Sequence, residues 1–341
     1  MLGNSWSIAL LICAMATLFL VGLASATALK ILIYWDPDSD SERQIDLEGR
    51  TWLAAALVES GLAVQLVSLF LLVLAATDFS EMIAGAMCAT GSLLANEYGA
   101  KSLYIKIAGL FLYGFWIVVH RLDLCSEYSP LIRFKFIYLL ILLPYLFFDS
   151  YFLFAYLYNL EPDIITSCCG VIFSDKAIQT NFLMINVSSE AVAGLFYLAA
   201  VVVAVMSWIF TGRVAGASSL PVVGHLLYGM LVVVFFLISL VTLTICFSSY
   251  IYAMPYHNCP FDILHGEYGY IGFPIYFTLF SASFLGITSA GAAIFRHKPG
   301  LASPLAKYQR FAMTKASWLI LLYVILVSFP VLRYVLSGGE V

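Results

Sequence analysis

The sequence predicts an all-α fold: a polytopic membrane bundle of eight transmembrane helices, built as two parallel four-helix repeats with both termini outside the cytoplasm (N-out/C-out). Three observations carry that expectation: an extreme apolar composition, eight long apolar runs, and a cysteine-bearing stretch that occurs twice. Of 341 residues, 62% are hydrophobic and 11% charged, with a mean hydropathy of +0.97. A soluble fold with that balance would have too little polar surface to cover itself. The formal net charge of -4 gives no basic footprint for nucleic acid, so membrane lipid is the expected surroundings. No Lys or Arg precedes Lys30, so the basic start of a cleavable signal is missing and the first apolar run is expected to stay as an anchor.

The runs lie near residues 7–34, 51–77, 102–120, 134–158, 190–212, 222–250, 271–295 and 317–337. Each is long enough for a hydrocarbon core of about 30 Å, which takes about 20 helical residues. Their apolar residues are continuous rather than alternating, which favours helices over a closed β-barrel. Lys30, Arg43, Arg50, Arg121, Arg133, Lys135, Arg213, Arg296, Lys298, Lys307, Arg310 and Lys315 fall at the 1-2, 3-4, 5-6 and 7-8 connections, whereas Lys101, Lys106, Lys176 and Arg333 fall on the other side. The positive-inside rule then places both termini outside the cytoplasm. The implied organisation is a first half over 1–160, an extracytoplasmic loop over 161–189 and a second half over 190–341. A bacterial inner membrane is expected rather than a eukaryotic one, since the lone N-x-S sequon at Asn186 is too common to decide the matter.

This orientation gathers Cys88, Cys168, Cys169 and Cys259 in the outer loops, with Cys13 and Cys246 near outer helix ends and only Cys125 on the cytoplasmic side. Disulfides persist on that outer side. MCATGSLLANEYG (87–99) and NCPFDILHGEYGYIGFPIY (258–276) each carry a cysteine followed by Glu-Tyr-Gly. The offset is 171 residues at the cysteines and 170 at Gly99 and Gly269, and the second apolar run of each half starts at 51 and at 222. Four crossings restore the starting side, so two such halves would be parallel, related by an axis along the membrane normal. The alternative is two unrelated loops with common turn residues. A small-residue segment ahead of a helix suits a short half-helix folded into the outer membrane, with a glycine permitting the turn.

EYGYIGFPIYFTLF (267–280) resembles the bacterial vitamin K epoxide reductase type of membrane thiol oxidoreductase over about 20 residues, with Cys259, Gly272 and Pro274 in the matching places. The resemblance implies an outward-facing thiol site in a helix bundle. That family's C-x-x-C beside a quinone pocket is missing here, so its electron acceptor and its quinone do not carry over. Residues Cys168 and Cys169 would be the catalytic pair if thiol-disulfide exchange operates.

The candidate metal ligands are Cys88, Cys168, Cys169, His257 and Cys259. Thiolate and imidazole together favour Cu(I) or Zn(II), and an extracytoplasmic metal or thiol carrier protein would be the partner. His265 is a possible further ligand or an ordinary surface histidine. Structural disulfides among Cys88, Cys168, Cys169 and Cys259 are the plain reading of the same residues. His120 and His225 sit at cytoplasmic helix ends where two imidazoles can clasp a haem, though each also suits an interfacial position. Glu59 and Asp149 fall about 12 Å and about 22 Å inside their apolar runs. Intramembrane acids mark proton or ion paths, or else glue helices as neutral hydrogen-bonded groups. No nucleotide loop, H-E-x-x-H or nucleophile elbow is present.

Overall fold

The computed structural model describes residues 1–36, 41–86, 88–126, 129–163, 189–215, 222–254 and 259–337. Among them, eight helices are long and apolar enough to cross a membrane, and the protein is an all-α, multi-pass integral membrane protein. The chain divides into two compact units, one of Met1–Thr166 with Lys298–Leu301, the other of Ser167–His297 with Ala302–Val341.

The first unit contains α1 (Ser5–Tyr34), α2 (Glu42–Met82), a short α3 (Ala89–Leu94), α4 (Gly99–Asp123) and α5 (Ile132–Tyr158). Asn4 caps α1 by accepting from the Trp6 N–H at 2.8 Å, and Ser41 caps α2 by accepting from Gln44, which satisfies backbone donors a helix start leaves open. The helices α1, α2, α4 and α5 form a closed ring in which each packs on the one before and the one after. Leu62, Val58, Trp116, Phe136 and Leu146 lie in its core.

The second unit contains α6 (Ser189–Ala215), α7 (Val222–Tyr252), α8 (Gly272–Ala292) and α9 (Ala302–Leu336). A π-helical turn over Leu243–Phe247 interrupts α7. These four helices also pack as a sequential ring. Phe196 of α6 is its centre, 5.3 Å from the Phe247 ring, 6.0 Å from Phe235 and 5.9 Å from Tyr323. Two glycines bring α7 and α8 together: a Cβ on Gly229 would stand 2.7 Å from that of Ala290, and one on Gly286 would be 3.0 Å from Val232. In lipid, where apolar surface gains little by leaving the solvent, such close van der Waals contact is what joins helices.

The apolar runs understate the helices. α2 begins at Glu42 and α9 at Ala302, because polar residues extend a helix beyond the hydrocarbon where hydropathy falls to zero. Glu42 and Val222, the starts of α2 and α7, are therefore 180 residues apart rather than the 171 of the apolar starts. Lys106 and Lys135, read from sequence as loop cations, lie within α4 and α5, 2% and 3% exposed. Each is taken out of water by a buried carboxylate partner, Asp149 and Asp123 respectively.

Candidate functional site

In the second unit, α7 ends at Ala253, whose φ of +54° turns the chain left-handed. The chain returns to Cys259 and makes two single 3₁₀ turns, Asp262–Leu264 and Gly266–Tyr268, before entering α8. Cys259 is fully buried, and two phenols hold its segment in place. The Tyr252 hydroxyl donates to the Cys259 carbonyl and accepts from the Ile263 N–H at 3.0 Å, and the Tyr276 hydroxyl donates to the Pro260 carbonyl at 2.5 Å. The Cys259 sulfur accepts from the Phe261 N–H at 3.4 Å, and a carboxylate oxygen of Asp262 lies within 4.8 Å of it.

Three residues on, His265 has a buried Nε2 with no hydrogen-bond partner among the described residues. A buried imidazole nitrogen without a partner calls for an explanation, such as a water or an ion. The Tyr268 ring stacks edge-on to Tyr252 at 4.6 Å. Burial pushes the Tyr268 phenol up, and the carboxylates of Asp262 and Glu267 add to the shift. The turn thus concentrates acidic and thiol groups that a cation would stabilise. Thiolate, carboxylate and imidazole are Zn(II) ligands, and the thiolate also suits Cu(I).

The matching stretch of the first unit has a different local frame. Cys88 is 4% exposed and stands as the N-cap of α3 in an extended conformation, its carbonyl accepting from the Gly91 N–H at 2.9 Å. Ser92 donates to the Ala76 carbonyl at 2.6 Å, and Tyr156 of α5 donates to the Ser92 carbonyl at 3.3 Å. Asn96 then orders the entry to α4, its side chain accepting from the Tyr98 and Gly99 N–H groups at 3.0 and 3.1 Å. Gly99 admits no side chain, for a Cβ would be 2.3 Å from the Leu93 carbonyl oxygen. In the Cys259 stretch Gly272 opens α8, with the Ile263 carbonyl oxygen 2.8 Å from its would-be Cβ, while Gly269 supplies the left-handed turn at φ +64°. A buried cysteine, a short helical turn and a glycine entry are therefore common to both stretches.

Among the other sequence candidates, Cys168, Cys169 and His257 lie outside the described residues. Glu59 is paired with Arg121 of α4, with side chains 28% and 64% exposed, so it belongs to the helix-end level rather than to the depth of Asp149. Asp149 is fully buried, and accepts from Gln65 Nε2 and, at 3.3 Å, from the Tyr113 hydroxyl. Lys106 Nζ is 3.2 Å from Asp149 Oδ1. His120 stacks on Trp116 at 5.3 Å, and His225 packs against Phe210 at 5.9 Å. Asp262 and Lys106 were missed from the sequence as site residues: the first is one acid in a polar loop, and the second sat at the edge of an apolar run. Comparison with protein-family models, curated proteins and solved structures gives no match.

Proposed function

We propose that this membrane protein binds or hands on a soft metal ion, Cu(I) or Zn(II), at an extracytoplasmic cysteine segment. One observation carries the reading: a buried thiol and a carboxylate oxygen within 4.8 Å of each other on one short turn, Cys259 and Asp262. The unpartnered His265 nitrogen in that turn supports it. Cys88, Cys168, Cys169 and His257 are the sequence's candidates for completing a ligand set, since structural zinc takes four ligands. The outward orientation rests on the distribution of Lys and Arg, and the duplication on the paired cysteine and Glu-Tyr-Gly stretches. Both halves of the bundle would then present sulfur on one side, where a carrier protein delivers or collects the ion.

The test is metal analysis of protein purified from membranes with copper or zinc supplied. Wild type should hold about one equivalent, the stoichiometry of a single closed site. C259S and D262N should lose it, and C88S, C168S, C169S and H257Q report which other residues complete the set. Metal-free wild type, with cysteines that cycle under mild reductant, would replace this reading with thiol-disulfide exchange of the vitamin K epoxide reductase kind.

A further inference from the structure

The positions Ser102, Lys106, Gly109, Tyr113, Trp116, His120 and Asp123 follow one another along α4 at alternating steps of four and three residues, and all are buried. That spacing puts them on a single stripe of the helix. From Ser102 to His120 the stripe covers about 27 Å, close to the whole hydrocarbon thickness. About 6 Å along it from Ser102 it meets the Lys106–Asp149 pair. The Cys13 thiol of α1 is an electrostatic neighbour of Lys106, Gln65 of α2 and Tyr113 of α4 donate to Asp149, Tyr145 of α5 packs edge-on to Tyr113, and Ser68 and Ser102 lie one turn along their helices from Gln65 and Lys106.

A sealed structural ion pair would have its surrounding polar atoms satisfied. Here Gln65 Oε1, Ser68 Oγ and Ser102 Oγ are buried with no hydrogen-bond partner among the described residues, in side chains no more than 2% exposed. Gln65 and Ser68 are one turn apart on α2, and Ser102 and Lys106 one turn apart on α4. The amide oxygen needs a donor, while the hydroxyls both donate and accept. Water meets all three needs, and a polar cavity with several such groups is where buried water resides.

We infer that the Lys106–Asp149 pair is a hydrated proton-exchange site, and that the α4 stripe conducts protons through the first unit. In the exchange the Lys106 ammonium gives one proton to the Asp149 carboxylate, leaving an amine and a carboxylic acid. The acid releases that proton to water on one side, and the amine takes another from water on the other. One proton enters and one leaves, and no redox partner is needed. Tyr113 and His120 extend the path toward the end of α4 that carries Asp123, the partner of Lys135 on α5.

The experiment reconstitutes the full protein into liposomes enclosing a pH-sensitive dye and measures the decay of an imposed pH step with valinomycin and potassium present. K106R keeps the ion pair but holds its proton, because guanidinium does not deprotonate in proteins. Wild type should dissipate the step about a hundredfold faster than K106R, the lower range for a positioned acid–base group. The neutral pair K106M/D149N should match K106R, and H120Q should fall between. Thermal unfolding of each variant confirms that it is folded. Wild type no faster than empty liposomes, or folded K106R as fast as wild type, overturns the inference. Wild-type flux measured with a copper and zinc chelator present should equal the flux without it, so this inference and the metal reading fail separately.

Discussion

The third spanning helix of the first unit, α4, turns Ser102, Lys106, Tyr113, His120 and Asp123 inward, whereas the third spanning helix of the second unit, α8, turns Gly272, Thr278, Ala282, Gly286 and Ser289 inward. Both units are sequential four-helix rings. One is held around paired charges, Lys106 with Asp149 and Lys135 with Asp123. The other is held by glycine-mediated approach of α7 and α8 and by the rings gathered on Phe196. The second arrangement is sufficient for stability in lipid, where packing and small residues join helices. The charges of the first are therefore more than the fold requires, and intramembrane ionisable groups are expensive enough to imply a task.

The largest expected effect separates pairing from polarity in the first unit. K106M leaves Asp149 buried without its cation and should cost about 3–5 kcal/mol. K106M/D149N removes both charges and should recover most of that loss, a coupling readable by a double-mutant cycle of thermal or SDS-induced unfolding in micelles. If the double variant is as unstable as the single one, the first unit depends on its charges for stability and the contrast with the second unit is wrong. No member of the Phe196 cluster carries such a coupled charge.

Much of the fold was legible because hydrocarbon imposes one strong rule, that a spanning helix is a long apolar run. All eight helices follow it. Their ends were not legible: Glu42–Arg50 of α2 and Ala302–Lys315 of α9 are helical but polar, and hydropathy has no signal for helix outside the membrane. Lys106 and Lys135 were misplaced for the complementary reason, since a cation near the edge of a run reads as a loop until its acid is known to be buried beside it. The four-three spacing of Ser102, Lys106, Gly109, Tyr113, Trp116 and His120 was present in the sequence and would have exposed the buried stripe. At the candidate metal site Cys259 stood out as a residue type with its own chemistry, but Asp262 became meaningful only once the 3₁₀ turn brought it toward the sulfur.

A smaller effect tests whether the second unit depends on close approach. G229A adds a Cβ that would stand 2.7 Å from that of Ala290, and both helices are too stiff to yield freely, so the expected loss is about 1–3 kcal/mol. A290G on the same chain removes the opposing methyl and should restore part of the loss in the same unfolding assay. Failure of that rescue would mean the glycine is needed for its backbone rather than for its missing side chain. The proton flux of the first unit should be unchanged in G229A, because neither Lys106 nor Asp149 lies in the altered unit.

The smallest expected effect lies within the first unit and shows that distance alone does not set the worth of an ion pair. Arg50 Nε and Asp46 Oδ2 are 2.8 Å apart, and Lys135 Nζ and Asp123 Oδ2 are 2.7 Å apart, nearly the same separation. The Arg50–Asp46 side chains are more than half exposed, whereas Lys135 and Asp123 are 3% and 0% exposed. Asp123 also accepts from the Leu131 N–H at 2.8 Å and so ties the α4–α5 connection to the pair. Water screens the exposed charges and solvates either partner left alone, so R50A should shift stability by no more than about 0.5 kcal/mol, and less in high salt. A loss several times larger from R50A would show that this polar end of α2 is covered in the membrane-embedded protein, and would move it from the solvated surface into the group of buried charges that distinguishes the first unit.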